Sequence, residues 1–140
     1  KPEEIVEAVR QGIDMFDCVI PTREARHGRL YLWSDDLSLR GAKRRSNPIN
    51  KRRGLPRSFQ SLAMTKGKGF YKTINIQNAK FKSDLSPINN TNIKQYSKAY
   101  LHHLFRTKEP LAMRLATLNN LEFYLGLMVE IRRTIERGYL

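Results

Sequence analysis

The sequence has little cysteine, few acidic residues and no long apolar run. Its 140 residues include one cysteine, Cys18, which excludes an internal disulfide and a cysteine-based zinc cluster within one chain. No run of about 18 apolar residues occurs, so no transmembrane helix is expected. No charged and then apolar leader opens the sequence, so secretion is not expected. We therefore expect a cytoplasmic or an organellar protein.

Basic residues outnumber acidic ones by two to one. The chain has 26 Lys and Arg against 13 Asp and Glu, which gives a net charge of +13. Such an excess favours a polyanionic partner, nucleic acid first and an acidic membrane surface second. Hydrophobic residues make up 40% of the chain, which is enough for the core of one domain of ordinary size.

Most of the excess charge lies in residues 32–73, which we call the basic insert. Eleven basic and two acidic residues between Leu32 and Thr73 supply nine of the thirteen net positive charges. The stretch also contains six Gly and Pro residues and has no sustained apolar period, which is typical of a loop or a disordered segment. We therefore divide the chain into residues 1–31, the basic insert 32–73, and residues 74–140.

The first of these parts predicts a short helix followed by a strand. Pro2 and the two glutamates after it suit the first turn of a helix, and Gly12 suits its end. Residues 13–20 mix acids with apolar groups and predict a strand that runs into Pro21. An acid at the end of a buried strand is the way in which parallel α/β folds present reactive groups.

The last part predicts a short strand and two helices. Period two at Ile74 and Ile76 predicts a strand that Gly28–Tyr31 can join, with the basic insert as the tip of the hairpin. Residues 97–105 predict one helix. A second, long helix ends near Gly138, and one set of apolar residues recurs along it at spacings of three and four, as expected of a face packed in the core. This set is Leu111, Leu115, Leu118, Leu121, Leu125, Met128, Ile131 and Ile135.

Four stretches together resemble one enzyme family. They are residues 12–28, with the run Phe-Asp-Cys-Val-Ile-Pro-Thr-Arg-Glu-Ala-Arg, residues 78–87, residues 96–104, with Tyr-Ser-Lys-Ala-Tyr-Leu-His-His-Leu, and the final helix. In this order they resemble the tRNA-guanine transglycosylases, also called queuine tRNA-ribosyltransferases. The His-His-Leu run is similar to the bacterial-type enzymes.

The resemblance implies a fold and an activity. The fold is α/β, the C-terminal part of a (β/α)8 TIM barrel with a zinc-subdomain region and a long C-terminal helix. The activity is that of a pentosyltransferase, which exchanges the anticodon wobble guanine of tRNA for 7-aminomethyl-7-deazaguanine in queuosine biosynthesis. The implied partners are the tRNA anticodon loop, the 7-deazaguanine base, and either the missing barrel half or a homo-oligomer partner. No membrane is among the implied partners.

The resemblance also implies roles for particular residues. The family's nucleophilic carboxylate falls on Asp17, and a double displacement by such a group is analogous to the chemistry of retaining glycosidases. The target base must be unstacked, which suits a single-stranded loop. The family's tRNA contacts fall on Lys1, Pro2, Glu3, Glu4, Thr22, Arg23, Glu24, Ala25 and Arg26.

Several side chains in these stretches are interpreted as structural. Asp14 has no matched role, and we expect Cys18 to be a small buried packing residue. His102 and His103 are neighbours and would face different sides of a helix, so we expect one of them to be packed or hydrogen-bonded. Asp17 itself has a structural alternative, as a capping or salt-bridged acid.

The sequence departs from the family pattern at the zinc site. The family has a Cys-x-Cys-x-x-Cys cluster shortly before the Tyr-Ser-Lys-Ala-Tyr segment and a histidine after it. Here the corresponding stretch, residues 88–95, has no cysteine, and the histidine position is Asn119. We therefore expect no bound metal and no cofactor. The region is expected to be degenerate, and either packing compensates for the loss of zinc or the region is loose.

The family's general base and purine pocket come from earlier barrel strands that have no counterpart here. We therefore expect either the C-terminal portion of a longer enzyme or a split half that needs a partner chain, with the isolated chain inactive. The alternative is a non-catalytic tRNA-binding subunit or remnant of the family. The basic insert either grips tRNA or is a tolerated intervening segment, and we favour the second.

Overall fold

The computed structural model describes residues 1–34, 69–136, 138 and 140. The described residues of Lys1–Leu32 and Thr73–Leu140 form one compact unit, and Trp33–Lys72 are grouped separately. Residues 35–68 hold most of the basic insert and lie outside the described residues. The prediction that the insert is disordered therefore concerns residues that are not described.

The first helix, α1, spans Pro2–Arg10, as predicted. Proline lacks an amide hydrogen and its fixed φ suits a first helical turn, so its place at the start of α1 costs no hydrogen bond. Ile5 and Val6 are buried on one side of the helix. Gly12 follows with a φ of +90°, a left-handed conformation that glycine adopts without strain and that ends the helix.

The strand predicted at residues 13–20 is wrong. Residues 13–19 form no regular element, and the second helix, α2, spans Ile20–Arg26. Pro21 lies in the first turn of α2, where it favours the start of a helix. A strand needs a neighbour that satisfies its backbone groups, and the part of the chain that the structure describes provides none for this segment. Its side chains are exposed accordingly, by 50% at Ile13 and 85% at Met15.

Two strands form the described sheet. Strand β1 spans Arg29–Trp33 and β2 spans Tyr71–Asn75, and the two are paired, as predicted. Strand β2 begins within the basic insert and ends before Ile76, so it lies earlier in the chain than the strand predicted at Ile74 and Ile76. The amide of Ile76 donates to the carbonyl oxygen of Gly28 at 2.9 Å, and the amide of Ser34 donates to that of Phe70 at 3.2 Å. The two strands are therefore antiparallel. The described residues show a mixed helix and sheet chain, and they do not show a (β/α)8 barrel.

Two further helices follow a 3₁₀ turn at Ala79–Phe81, and both agree with prediction. Helix α3 spans Lys98–Arg106, and its N-cap Ser97 accepts a hydrogen bond at Oγ from the amide of Tyr100 at 3.1 Å. This is the usual way in which a serine satisfies a free amide at a helix start. Helix α4 spans Pro110–Glu136. No helix within the described ranges has both the length and the apolar character needed to cross a bilayer.

The face of α4 that packs in the core differs from the predicted one. Of the predicted apolar set, Leu115 and Ile131 are buried, whereas Leu118, Leu125 and Ile135 are exposed by 45%, 66% and 48%. A different set of α4 residues is buried: Ala112, Leu115, Ala116, Asn119, Asn120, Phe123, Tyr124, Leu127, Ile131 and Thr134. Because α4 carries apolar residues on two sides, periodicity identified an apolar face without showing which one faces the core.

The core of the larger unit forms around α4. Helices α1, α2 and α3 all pack against it. The side chain of Tyr31 lies beside two rings of α4, with centroids 5.7 Å from Phe123 and 5.3 Å from Tyr124. Burial raises the pKa of the Tyr31 phenol above its ordinary value. The central cluster consists of Ala25, Leu30, Ile76, Phe81, Ile88, Ile93, Leu101, Leu104, Ala112, Leu115 and Ala116.

Candidate functional site

Asp17 lies on the irregular segment between α1 and α2, with its side chain exposed. Among the described residues, no hydrogen bond or ion pair engages its carboxylate. The N-cap of α2 is Val19, and no side chain caps that helix. Neither a capping role nor a salt bridge therefore accounts for Asp17 in this structure. Its role as nucleophile stays a prediction.

Cys18, next to Asp17, is also exposed. The expectation that it is a buried packing residue is wrong. The reason is the same one that makes the strand prediction fail, because residues 13–19 have no described layer packed over them. Asp14, in the same segment, is exposed as well.

The local chain after Asp17 folds tightly into α2. The Thr22 hydroxyl donates to the carbonyl oxygen of Val19 at 3.0 Å, and the amide of Arg23 donates to the same oxygen at 2.9 Å. Ala25 is completely buried in the core. Its side chain holds α2 in place, and the tRNA contact that the resemblance implies for Ala25 stays a prediction.

Arg23 and Arg26 are both exposed on α2. A separation of three residues puts them on neighbouring turns of one helix face. Glu24, between them in sequence, forms an ion pair with Arg29 at 2.9 Å, and its side chain is 21% exposed. Because this pair neutralises the acid, the exposed side of α2 is left with two cationic groups that can hold phosphate or stack on bases.

The other predicted contact run occupies the first turn of α1. Pro2 is buried, whereas Lys1, Glu3 and Glu4 are exposed. Since α1 and α2 both pack against α4, one long helix supports both predicted contact runs.

Asn120 is a positioning residue that the sequence reasoning missed. It is completely buried in α4, and its Nδ2 donates to the carbonyl oxygens of Pro21 at 3.0 Å and Arg29 at 2.9 Å. Its Oδ1 accepts from the amide of Tyr31 at 3.0 Å and from Asn119 Nδ2 at 3.1 Å. The side chain thus uses all of its usual hydrogen-bonding capacity to join α2, β1 and α4. The signal in the sequence was a pair of amides amid apolar helix residues.

The two histidines of α3 face different environments, as expected. His102 is buried, and its Nδ1 lies 2.8 Å from the carbonyl oxygen of Ile76, to which it can donate a hydrogen bond. His103 is exposed. Both line an open cleft of about 500 Å³ whose wall also includes Gln77, Ala79, Lys82, Ala99 and Arg106. His102 therefore serves the packing of α3 on the end of β2.

The residues at the family's zinc positions lack the chemistry of a metal site. In the described ranges, no group of three or more His, Cys, Asp or Glu side chains is placed to bind an ion. Ile88 and Ile93, in the stretch that replaces the cysteine cluster, are apolar and buried. Hydrocarbon side chains offer no donor to zinc, so these residues do not fit that ion.

Comparison with known proteins yields a family match over the whole chain. The model of the family described as queuine tRNA-ribosyltransferase matches residues 1–140. The match includes the Asp17 segment, both runs of predicted tRNA contacts, the zinc-position stretch and α4. It agrees with the resemblance found in the sequence.

Proposed function

Because this chain belongs to the queuine tRNA-ribosyltransferase family, we propose that it is the part of a tRNA-guanine transglycosylase that carries the nucleophile. Its substrate is a tRNA anticodon loop, and the base that it inserts is a 7-deazaguanine. The observation that carries the proposal is the exposed Asp17 carboxylate, which has no described partner and lies shortly before the exposed arginines of α2.

The reaction is a double displacement at the ribose of the wobble nucleotide. A carboxylate oxygen of Asp17 forms a bond to the anomeric carbon, while the bond to guanine breaks and guanine leaves with the electron pair and takes up a proton. The incoming base then loses a proton and attacks the same carbon, which releases Asp17 as a carboxylate. Two displacements retain the configuration of the sugar.

Arg23 and Arg26 have a positioning role in this scheme. Guanidinium groups bind phosphates in a bidentate geometry and stack on unpaired bases. On the exposed face of α2 they would hold the splayed anticodon loop while the wobble ribose reaches Asp17. The ion pair of Glu24 with Arg29 prevents the intervening acid from repelling the phosphates.

In the complete site, further protein must pack over the segment that contains Asp17. Ile13, Met15 and Val19 flank Asp17 and are exposed by 50%, 85% and 60%. Apolar groups clustered in this way mark a surface that packs against other protein, and a glycosyl ester must also be kept from water. We propose that further barrel strands, from the same protein or a partner chain, cover this segment and supply the base pocket.

The test is trapping of the covalent tRNA adduct and exchange of labelled guanine, with the chain assembled with the earlier barrel strands of the family. Asp17→Asn removes the nucleophile, so we expect no adduct and a loss of exchange of roughly 10³-fold or more, with tRNA affinity changed less than about twofold. Asp14→Asn is the matched control, because Asp14 is an exposed acid in the same segment, and it keeps both activities. Comparable exchange by the Asp17→Asn protein would show that Asp17 is not the nucleophile.

A second candidate function is a non-catalytic tRNA-binding subunit of the same family. The net charge of +13 and the cationic face of α2 favour tRNA binding whether or not chemistry follows. Salt-sensitive tRNA binding without adduct or exchange, in a correctly assembled complex, supports this candidate instead.

A further inference from the structure

Residues 88–93 are held against α4 by polar side chains. Asn89 Nδ2 donates to Asn119 Oδ1 and to Glu122 Oε2, in each case at 3.2 Å. Asn92 donates to Glu122 Oε1 from its side chain at 3.1 Å and from its backbone amide at 3.4 Å. Asn119 and Glu122 are three residues apart and lie on one face of α4. We call these four side chains the Asn–Glu clasp.

The remaining hydrogen-bonding groups of the Asn89 and Asn119 side chains also have partners. Asn89 Oδ1 accepts from the amide of Thr91 at 3.1 Å, which shapes the turn of the loop. Asn119 Nδ2 donates to the carbonyl oxygen of Tyr31 at 3.0 Å and to Asn120 Oδ1 at 3.1 Å. The clasp therefore joins the loop to α4 and, through Asn119, to β1.

Two apolar side chains of the same loop point into the core. Ile88 is 1% exposed and Ile93 is 5% exposed, and both belong to the central cluster. Ile88, Asn90 and Ile93 have the spacing of a Cys-x-Cys-x-x-Cys group, and Asn119 stands where the resemblance places the family's histidine. At the first and last cysteine positions, Ile88 and Ile93 therefore bury hydrocarbon side chains. At the histidine position, Asn119 has a side-chain amide whose donors are already hydrogen-bonded.

The loop leads directly into α3. The amide of Ile88 donates to the carbonyl oxygen of Tyr96 at 2.9 Å, and Pro87 and Ser97 form an antiparallel bridge. Ser97 is the N-cap of α3. Whatever fixes residues 88–93 on α4 therefore also fixes the start of α3.

We propose that the Asn–Glu clasp, together with Ile88 and Ile93, replaces the structural zinc of the family in this chain. Hydrogen bonds from the loop to α4 and burial of the two isoleucines hold the loop without a metal ion. Buried apolar surface and satisfied amides need no cofactor, so folding is independent of zinc supply. The inference rests on family membership and not on catalysis, and it holds whether or not Asp17 is the nucleophile.

The first test measures metal content and its effect on stability. The full chain is produced in zinc-supplemented medium, and bound zinc is determined by elemental mass spectrometry. We expect far less than one zinc per chain, and a melting temperature that changes by less than about 1 °C when EDTA is added. One zinc per chain, with a fall in melting temperature on chelation, would overturn the proposal.

The second test separates the clasp from other polar contacts of α4. Glu122→Ala removes the acceptor of Asn92 and one acceptor of Asn89, so we expect a melting temperature lower by roughly 5 °C and amide hydrogen exchange at residues 89–93 faster by about tenfold or more. Glu122→Gln keeps one acceptor oxygen, and we expect a smaller effect. Glu136→Ala is the control, since Glu136 is an exposed acid at the C-terminal end of α4, away from the clasp.

Asn92→Ala is the alternative test of the clasp if the Glu122→Ala protein does not fold. It deletes one side-chain bond of the clasp at an exposed position, so the fold should survive. We expect faster exchange at residues 89–93 with unchanged exchange in α1. Exchange at residues 89–93 equal to that of the parent would show that the clasp does not hold the loop.

Discussion

Asn120 Nδ2 donates a hydrogen bond to the carbonyl oxygen of Pro21 at 3.0 Å, although 99 positions separate the two residues in sequence. Pro21 lies in the first turn of α2, shortly after Asp17 and before Arg23. The same amide group holds the carbonyl oxygen of Arg29 at 2.9 Å, at the start of β1. A single buried side chain of α4 thus sets the position of α2, and with it the direction in which the predicted tRNA-contact face is presented.

Asn120→Ala is expected to destabilise the chain by about 3 kcal/mol, because buried backbone groups of Pro21, Arg29 and Tyr31 lose their partner. The free energy of unfolding in urea measures this. Asn90→Ala, at an exposed position, is the control and should change that energy by less than about 0.5 kcal/mol. Equal effects of the two substitutions would show that the Asn120 network contributes little.

Arg23→Gln and Arg26→Gln should each weaken tRNA binding. Each removes one cation from the exposed face of α2, so the slope of log affinity against log salt becomes shallower by about one, while the fold is unaffected. Fluorescence anisotropy with a labelled anticodon stem-loop across a salt series measures both quantities. Arg132→Gln, an exposed arginine of α4, is the matched control. An unchanged salt slope in both α2 variants would place the tRNA elsewhere.

Leu127→Ala should cost about 2–5 kcal/mol of unfolding free energy, since Leu127 is completely buried and its truncation leaves a cavity. Leu125→Ala, two residues away and 66% exposed, should change the stability of the chain by less than about 1 kcal/mol. The pair distinguishes the face observed in the core from the face that the sequence pattern predicted. Urea denaturation of both variants decides between them, and a larger loss at Leu125 contradicts the described packing.

Asp84→Asn should change how stability depends on pH. Hydrogen bonds from the hydroxyl and amide of Ser86, and then the charge of Lys98, hold the pKa of Asp84 below its ordinary value in the folded chain. The unfolded chain therefore takes up this proton at a higher pH than the folded one. The contribution of Asp84 is complete above the unfolded pKa and is lost as the pH falls through the folded pKa.

The difference in stability between Asp84→Asn and the parent should therefore be largest near pH 7 and shrink below about pH 4. Unfolding midpoints measured from pH 7 to pH 3 test this. Asp14→Asn is the matched control, because Asp14 is an exposed acid with no described ionic partner. A constant difference for Asp84→Asn at all pH values would mean that its carboxylate is not specifically stabilised.

Helices α1, α3 and α4 were predictable because their signals are local, whereas α2 was missed, because Ile20 was assigned to a strand that runs into Pro21. Pro2 and Gly12 bracket α1, and Ser97 caps α3 with its own hydroxyl. Such signals act within a few residues, and therefore a single sequence displays them. The pairing of β1 with β2 was also predictable, although Ile74 lies in β2 and Ile76 just after it, so the period-two pattern indicated the pairing but not the bounds of the strand.

Features that depend on distant neighbours were predicted less well. Residues 13–20 have a strand-like composition, but a strand needs another strand beside it, and composition cannot supply one. The exposure of Cys18 follows from the same fact. On α4 the apolar residues Leu118 and Leu125 lie opposite Leu127, so the choice of the core face depended on what packs there.

The residues of the candidate site also fall into two groups, those assigned from a local sequence motif and those whose role depends on distant contacts. Asp17, Arg23 and Arg26 were assigned from a motif with a family resemblance, which is a signal of sequence and not of shape, and their roles stay predictions. Asn120 and the Asn–Glu clasp were not recognised, because asparagine and glutamate are ordinary helix and loop residues until their partners are known. Their role comes from contacts between residues that lie far apart along the chain.

The chain leaves β1 and enters β2 through adjacent residues, with Ser34 donating to Phe70 at 3.2 Å and the rings of Trp33 and Phe70 centred 6.2 Å apart. The end of β1 and the start of β2 thus contact each other directly. These contacts, and not the residues that connect the strands, set the register of the hairpin. Each doubling in length of the connection between them costs only about 0.6 kcal/mol in closure entropy. Residues can therefore be inserted or deleted between β1 and β2 without changing the register of the backbone hydrogen bonds that join the two strands.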